Sequence, residues 1–174
     1  MPDVEKKTPN IRILAENQAQ EALDFLRESG NAYSGVAVEK LETGLKSGAW
    51  RFVVAELDGR KAGCFYLNRG PKYRVYRALE IPELQDLRVL PGFRRQGIGQ
   101  AMVEYAENMA RDMGAPGLGI SVGLTADYGA AQRLYIRMGY MPDGNGVSYD
   151  RQPVEKGCKI AIDDDVSLML VKLF

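Results

Sequence analysis

The sequence predicts a mixed α/β fold, a sheet with flanking helices, in a single domain over residues 1–174. Three observations lead to this prediction. Short segments alternate apolar and polar residues, which is typical of half-buried strands. Other segments repeat apolar residues three and four positions apart, as on one helix face. Both kinds of segment follow one another without repeats or linkers, in a chain long enough for a sizeable core.

Composition narrows the class of protein. The chain is 45% hydrophobic and 26% charged, as is usual for a globular protein. Its 23 Lys and Arg balance 23 Asp and Glu, so we expect neither nucleic acid nor a membrane as partner. No apolar stretch approaches the roughly 20 residues that span a bilayer. No apolar stretch follows residues 1–7, so we expect no signal peptide and a cytoplasmic location.

The absence of histidine excludes whole classes of site. Ser-His-Asp and Cys-His nucleophile systems and histidine-bearing zinc sites all need that residue. The two cysteines, Cys64 and Cys158, cannot supply a four-thiolate site, and they favour a reducing compartment. We therefore expect no metal. Proton transfer must use carboxylates, tyrosines, lysines, cysteines or water.

The first half of the chain is predicted to hold a strand, two helices and a hairpin. The expected elements are a strand over 10–15, a helix over 19–26 ended by Ser29-Gly30, a helix over 38–45 stopped by Gly48, and strands over 50–57 and 61–67. The Asp58-Gly59-Arg60 sequence between the two strands is typical of a hairpin turn. We expect the two helices to form a lid or an acceptor wall.

The next segment, 68–77, is predicted to be a solvated basic loop. Its four basic residues are Arg69, Lys72, Arg74 and Arg77. Contact with an acidic partner is the alternative.

A strand-like run with Leu84, Leu87 and Val89 then stops at the chain breaker Pro91-Gly92. The sequence RRQGIG at 94–99 leads into a helix whose apolar residues are Ile98, Met102, Ala106 and Met109, and which Gly114 closes.

This loop resembles a cradle for a diphosphate. The first amides of a helix have no partner within it, and the helix dipole adds about half a positive charge there. Gly97 and Gly99 leave room for an anion, and Arg94 and Arg95 add full charges. The alternative is a tight turn with two solvated arginines. The sequence matches neither the P-loop nor the dinucleotide-binding pattern.

The last third of the chain alternates strands with one helix. We expect a strand over 118–122, a helix over 131–138 ended by Gly139, an extended segment over 140–142, a turn over 144–146, a resumed strand over 147–149, an insertion over 152–162 and a final strand over 166–174. The three aspartates 163–165 lack the spacing of a calcium loop, which favours a solvated turn. An acidic rim that attracts a cationic amine is the alternative.

Two motifs resemble the GNAT superfamily of acyl-CoA-dependent N-acetyltransferases. The family's R/Q-x-x-G-x-G/A stands here as Arg94-Arg-Gln-Gly97-Ile-Gly99, after a strand and opening a helix. Its A-x-x-L-Y-x-x-x-G-[FY] stands as Ala131-Gln-Arg-Leu134-Tyr135-Ile-Arg-Met-Gly139-Tyr140. The resemblance covers about residues 50–142, with a strand between the motifs.

The resemblance implies a mixed, mostly antiparallel sheet of six to seven strands whose fourth and fifth strands splay apart around the pantetheine arm of acetyl-CoA. The backbone around Leu87, Arg88 and Val89 would pair with the pantetheine amides, as an added strand does. The amides of 94–100 would hold the pyrophosphate. This second set is Arg94, Arg95, Gln96, Gly97, Ile98, Gly99 and Gln100.

Acyl transfer from a thioester to an amine needs a base for the amine, a donor for the oxyanion and an acid for the thiolate. The match to the family's tyrosine makes Tyr135 the candidate acid, because a phenol with a pKa near 10 stays protonated at neutral pH. Position on its helix alone favours a core tyrosine. Glu83 is the candidate base, where some family members carry a glutamate. Glu80, Asp86 and a water chain stay open as alternatives.

One position departs from the family pattern. The family often has Asn three residues before the motif alanine, whereas this chain has Tyr128, preceded by Asp127. The larger side chain leaves the usual contact at this position undecided, and Asp127 is interpreted as a helix N-cap.

The predicted function is transfer of an acetyl group from acetyl-CoA to a primary amine, by direct attack in a ternary complex. The acidic residues Glu80, Glu83 and Asp86 favour a small cationic amine. The alternatives are a protein lysine or N-terminal acetyltransferase and a non-catalytic acyl-CoA sensor. A toxin-like enzyme acting on charged tRNA is disfavoured by the zero net charge. Exposed strands in such folds commonly allow a homodimer.

Overall fold

Eight strands form one sheet, in the order β1-β2-β3-β4-β5-β8-β6-β7, in a computed structural model that describes residues 8–28 and 35–174. The strands are β1 (Asn10–Ile13), β2 (Trp50–Leu57), β3 (Arg60–Asn68), β4 (Glu83–Val89), β5 (Gly117–Gly123), β6 (Met141–Tyr149), β7 (Gln152–Pro153) and β8 (Val166–Leu173). The helices are α1 (Ala19–Glu28), α2 (Gly35–Lys46), α3 (Arg74–Ala78), α4 (Ile98–Asp112) and α5 (Gly129–Arg137).

The mixed, mostly antiparallel sheet is confirmed. β4 pairs in parallel with β5 through Glu83↔Gly119 and Leu84↔Ile120. The pairs β1–β2, β2–β3, β5–β8, β6–β8 and β6–β7 are antiparallel. The sheet has one strand more than the six to seven expected, because the two-residue β7 lies inside the segment taken as an insertion.

The chain forms two compact units. The first comprises the chain up to Asn68 together with Gln85–Tyr105, and the second comprises Arg69–Leu84 together with Ala106–Phe174. Both β4 and α4 contribute residues to each unit. The single domain expected over 1–174 stays a prediction.

In the first unit, the apolar faces of α1 and α2 pack on one face of the sheet. Phe25 and Leu26 of α1 and Leu41 and Leu45 of α2 form a buried cluster with strand residues that include Cys64. The two predicted helices are therefore confirmed, and Cys64 is buried beneath them. The residues expected to end the first helix, Ser29-Gly30, lie outside the described residues, as do residues 1–7.

The hairpin between β2 and β3 forms as predicted. Asp58 and Gly59 both have positive φ, 53° and 71°, which is the conformation of a type I′ turn. Asp and Gly tolerate this left-handed region better than other residues do.

The basic loop predicted over 68–77 is wrong in its second half, because α3 begins at Arg74. Tyr73 and Tyr76 are 2% and 0% exposed, and their rings meet edge to face at 4.9 Å. The Tyr76 hydroxyl donates to the carbonyls of Ile120 (3.2 Å) and Leu170 (2.6 Å). Tertiary packing of two aromatic rings thus overrides the polar character of the segment.

The second unit also confirms the turn predicted in β6. Gly144 and Gly146 have φ of 86° and 77°, and the register with β8 shifts between Pro142 and Val147. β6 therefore resumes after the turn, as expected. Within the described part of the chain, none of the helices is both long enough and apolar enough to cross a membrane.

Candidate active site

The loop that opens α4 presents backbone amides that the helix itself leaves unpaired. A 3-10 turn over Pro91–Phe93 follows β4, and Arg95 and Gly97 then adopt positive φ of 65° and 82°. The helical bond from the Ala101 N–H to the Gly97 carbonyl (3.0 Å) sets the start of the helix. The N–H groups of residues 97–100 therefore precede the helical ladder and point out of its first turn.

Side chains hold this loop in shape. Arg94 Nε donates to the Val89 carbonyl and Gln96 Nε2 to the Gly92 carbonyl, both at 3.2 Å. The Arg94 and Arg95 side chains are exposed, whereas Ile98 is 1% exposed and anchors the helix in the core. Open amides, a helix N-terminus and two arginines fit the diphosphate of a CoA-type donor. We call residues 94–100 the cradle.

β4 departs from regular alternation. Glu83, Leu84 and Gln85 are buried in succession, and Asp86 has a φ of 50° within the strand. An extra residue in the left-handed region is typical of a β-bulge. Strict alternation along the strand, which would put Glu83 and Leu87 on one face, therefore does not hold through Asp86.

Beyond the bulge, the main chain of β4 faces β3 at every second residue. The Leu90 N–H donates to the Ala62 carbonyl at 2.9 Å, and the Arg88 carbonyl lies 2.7 Å from where a Cβ on Gly63 would be. Since backbone groups alternate sides along a strand, those of Leu87 and Val89 point to the opposite edge. Of the three residues expected to pair with pantetheine, these two have the suitable direction, and the Val89 carbonyl also accepts the hydrogen bond from Arg94 Nε.

Glu83 lies in a buried ion pair. Its side chain is fully buried, and Arg151 Nε donates to both carboxylate oxygens, at 2.9 and 3.3 Å. Arg151 Nη2 also lies 3.5 Å from Ser121 Oγ. Sequence reasoning missed Arg151, which stands in the tight turn between β6 and β7. Both turn residues have positive φ, 47° at Asp150 and 61° at Arg151.

The two alternative bases lie in different surroundings. Glu80 follows α3, is exposed and has a φ of 55°. Asp86 lies in β4, 3.9 Å from the Arg88 guanidinium. Glu83 belongs to the second unit, whereas Asp86 belongs to the first.

Tyr135 lies on the buried face of α5 and is 5% exposed. Its ring meets Tyr140 edge to face at 6.2 Å. Burial raises the pKa of Tyr135 above the ordinary value of 10.0. The phenol is therefore protonated at neutral pH and available as a donor.

The segment before α5 differs from the expectation. The residue that caps α5 is Tyr128, which makes no side-chain capping bond, so the N-cap role predicted for Asp127 is wrong. Asp127 instead accepts a hydrogen bond from the Thr125 hydroxyl. The Tyr128 ring covers Gly123, and its hydroxyl donates to Asp164 at 3.0 Å.

The aspartate turn before β8 holds two tyrosines. Besides the bond from Tyr128 to Asp164, the Tyr149 hydroxyl donates to Asp163 at 2.8 Å. The Asp165 N–H bonds to Asp163 Oδ1 at 3.0 Å. These hydrogen bonds explain why residues 163–165 form a turn, as predicted.

Comparison with known proteins identifies the class. The family described as an acetyltransferase (GNAT) domain matches residues 48–142, more than half of the chain. No curated protein sequence matches.

Three solved structures illustrate the structural likeness. The ribosomal-protein-alanine N-acetyltransferase of Brucella melitensis has a TM-score of 0.65 and 17% identity, over 95% of this chain and 99% of that one. The spermidine/spermine N-acetyltransferase of Vibrio cholerae, in mutant forms, has a TM-score of 0.64 and 15% identity, over 95% of each chain. The PaiA N-acetyltransferase of Thermoplasma acidophilum, in complex with coenzyme A, has a TM-score of 0.59 and 16% identity, over 96% of this chain and 99% of that one. At these identities the likeness shows the fold.

Fold and family match together define the class as acyl-CoA-dependent N-acetyltransferases. The chain belongs to the GNAT acetyltransferase family, as the two sequence motifs predicted.

Proposed function

We propose that this protein transfers an acetyl group from acetyl-CoA to the primary amine of a small molecule, in a ternary complex. The observation that carries the proposal is the cradle, with its open amides at residues 97–100 and the exposed Arg94 and Arg95. A relative of the same fold is described in complex with coenzyme A, which supports this donor.

The cradle would bind the pyrophosphate, and the main-chain groups of Leu87 and Val89 would pair with the pantetheine amides. In the reaction the amine nitrogen forms a bond to the thioester carbon, and the carbon–sulfur bond breaks. The sulfur takes the proton that Tyr135 donates, and the nitrogen gives up one proton to a base. Tyr135 regains its proton from solvent, so the net products are an amide and the free thiol.

Glu83 remains our candidate base. Arg151 beside it favours the ionised carboxylate, which is the form that can accept a proton. Full burial means that the proton would reach Glu83 through water or a displaced Arg151 contact. A water chain that leads past Glu83 is the competing route.

The acceptor is proposed to be a small amine, which is cationic before it loses its proton, since such amines have a pKa of about 10.4. The Vibrio cholerae relative is described as a spermidine/spermine N-acetyltransferase. The Brucella melitensis relative is described as acting on a ribosomal-protein alanine, so a protein amine is the second candidate. Both cysteines are free thiols, which supports a reducing compartment such as the cytoplasm.

Calorimetric titration with acetyl-CoA, free CoA and NADH tests the donor. We expect the two CoA compounds to bind and NADH not to bind. Failure of both CoA compounds to bind would contradict the proposed function. Binding without turnover over a broad panel of amines and peptides, in wild type and Tyr135→Phe alike, would indicate a sensor.

Gly97 variants test the cradle itself. Gly97→Glu places a carboxylate among the amides and should weaken acetyl-CoA binding by at least about tenfold relative to Gly97→Gln. The glutamine variant is the matched control, because it has the same size and the same strain at a φ of 82°. Equal dissociation constants for the two variants would contradict an anion site at this residue. Gly70→Glu, in open space, should bind like wild type.

A further inference from the structure

The side chain of Arg88 in β4 is half-buried, 30% exposed, and one of its buried donors has no acceptor. Its Nε is buried and has no hydrogen-bond partner among the atoms that the structure describes within residues 8–28 and 35–174, the side chains of 16, 35–38 and 40 not being among them. Its ion-pair contact, from Nη2 to Asp86 Oδ1, is 3.9 Å long, which is beyond hydrogen-bond distance. A guanidinium carries five N–H donors and stays charged, and leaving a buried donor unsatisfied is unfavourable. Arg88 is therefore an incomplete binding group.

Arg88 lies on the sheet face that α1 and α2 cover. Leu90, two residues further on, packs against the cluster formed by these helices and Cys64. Cys64 belongs to this cluster, and burial raises the pKa of its thiol to about 12, an effect that the charge of Arg88 opposes. The stacked rings of Trp50 and Tyr66, 5.0 Å apart, pack against the same cluster.

The side chain of Arg88 is independent of the main-chain contacts proposed for the donor. The Arg88 carbonyl faces Gly63 of β3, whereas Leu87 and Val89 direct their main-chain groups to the opposite edge. Consecutive strand residues are about 3.3 Å apart. The Arg88 side chain therefore leaves the strand between the two residues that we assign to the donor.

We propose that Arg88 binds the carboxylate of the acceptor, so that the substrates are amines that also carry a carboxylate, as amino acids do. This inference rests on the proposed acetyltransferase function. A carboxylate can accept two parallel hydrogen bonds from a guanidinium, and the half-exposed side chain of Arg88 leaves part of this group open to such a ligand. Asp86 lies 3.9 Å from Arg88, so a cation and an anion are present side by side, and a zwitterion suits this pair better than a polyamine does.

Matched acceptor pairs test the proposal, with acetyl-CoA as donor. Tyrosine is compared with tyramine, lysine with cadaverine, and methionine with 3-(methylthio)propylamine. We expect kcat/KM to be at least about tenfold higher for the amino acid of a pair. Similar or lower values for all three amino acids would overturn the proposal.

Arg88→Met should lower kcat/KM at least about tenfold for amino acids and leave the decarboxylated amines within about threefold. Arg88→Lys should retain part of the preference, because it keeps the charge and loses the bidentate geometry. Arg137→Met is the matched control, since it removes an exposed guanidinium of α5. An equal loss for both kinds of acceptor would overturn the proposal.

Two further measurements distinguish acceptor binding by Arg88 from a structural role and from binding of the acyl group. If Arg88 had only a structural role, Arg88→Met would lower the melting temperature, whereas removal of an unsatisfied donor should leave it unchanged.

Succinyl-CoA with a decarboxylated amine tests whether the carboxylate belongs to the acyl group. A loss in Arg88→Met confined to succinyl-CoA would overturn the acceptor assignment. Failure of wild type to bind acetyl-CoA would instead defeat the proposed function itself.

Discussion

The catalytic roles that we propose depend on two buried side chains with opposite surroundings. Glu83 is fully buried against Arg151, and Tyr135 is buried among apolar and aromatic neighbours of the second unit. A cation next to a carboxylate favours its ionised form, whereas burial keeps a phenol protonated. The two environments thus favour, before reaction, an ionised Glu83 and a protonated Tyr135, which are the forms that the proposed roles need.

Tyr135→Phe should lower kcat by a factor of about 10²–10⁴, which is the usual contribution of a general acid. Affinity for acetyl-CoA should change less than about threefold. Tyr140→Phe is the matched control, because it removes a buried hydroxyl from the neighbouring ring, 6.2 Å away. Equal kcat values for the two variants would show that Tyr135 contributes only to packing.

Glu83→Gln tests the base through the pH dependence of kcat/KM. If Glu83 accepts the proton, activity rises with pH as its carboxyl ionises, and the variant loses this acidic limb together with most of its activity. If the pair with Arg151 only supports the fold, the variant keeps the shape of the profile and melts at a lower temperature. The second result would leave a water chain as the route.

At the scale of the element, two features of β4 depend on the residues around it. The bulge at Asp86 changes which side chains share a face, and Gly63 of β3 lets the Arg88 carbonyl approach. A Cβ on Gly63 would also lie 2.8 Å from Met102 Cε of α4. Gly63 thus allows close packing of β3, β4 and α4 in the first unit.

Gly63→Ala should destabilise the protein by about 1–3 kcal/mol, because a backbone carbonyl cannot move aside as a flexible side chain can. Gly70→Ala is the control, since nothing lies within 4 Å of its added Cβ. The control should stay within about 0.5 kcal/mol of wild type. Urea unfolding measures both. Equal midpoints would contradict the close approach of Arg88.

At the scale of the whole molecule, the zero net charge is accompanied by several buried weak acids. Burial is the largest cause of the raised pKa values of Tyr76, Tyr135 and Tyr140. In the first unit it raises the pKa of Cys64 from 9.0 to about 12. The folded state therefore holds these protons more tightly than the unfolded state does.

This difference predicts a stability that falls in alkali. The contribution of each group is fully present below its unfolded pKa and is lost as the pH rises toward its folded pKa. For Cys64 the window runs from pH 9.0 to about 12. The free energy of unfolding should stay level from about pH 7 to 9 and then decrease, by up to about 1.4 kcal/mol per pH unit for each group.

Urea unfolding at two pH values, about 8 and 10.5, measures this loss. Cys64→Ala removes one of the titrating groups, so the loss between these two values should be smaller in the variant than in wild type. An equal loss in both proteins would show that the Cys64 thiol contributes nothing to the alkaline instability.

The local features of this protein follow from residues that are neighbours in the chain. Asp58-Gly59 specifies the turn between β2 and β3, and RRQGIG at 94–99 specifies the passage from β4 into α4. Both rest on neighbours in the chain, since positive φ and an open helix start are properties of a few residues. The two motifs also predicted the family that the comparison identifies.

Contacts between side chains that are far apart in the sequence depend on how the folded elements pack. Arg151 donates to Glu83, which is 68 residues away in the sequence. Tyr76 of α3, in the segment predicted to be a basic loop, donates to the carbonyl of Leu170, 94 residues away. That Arg88 Nε finds no partner in the described part of the chain is likewise visible only after folding. Periodicity reports the faces of single elements, whereas ion pairs, buried hydroxyls and unsatisfied donors depend on how those elements pack together.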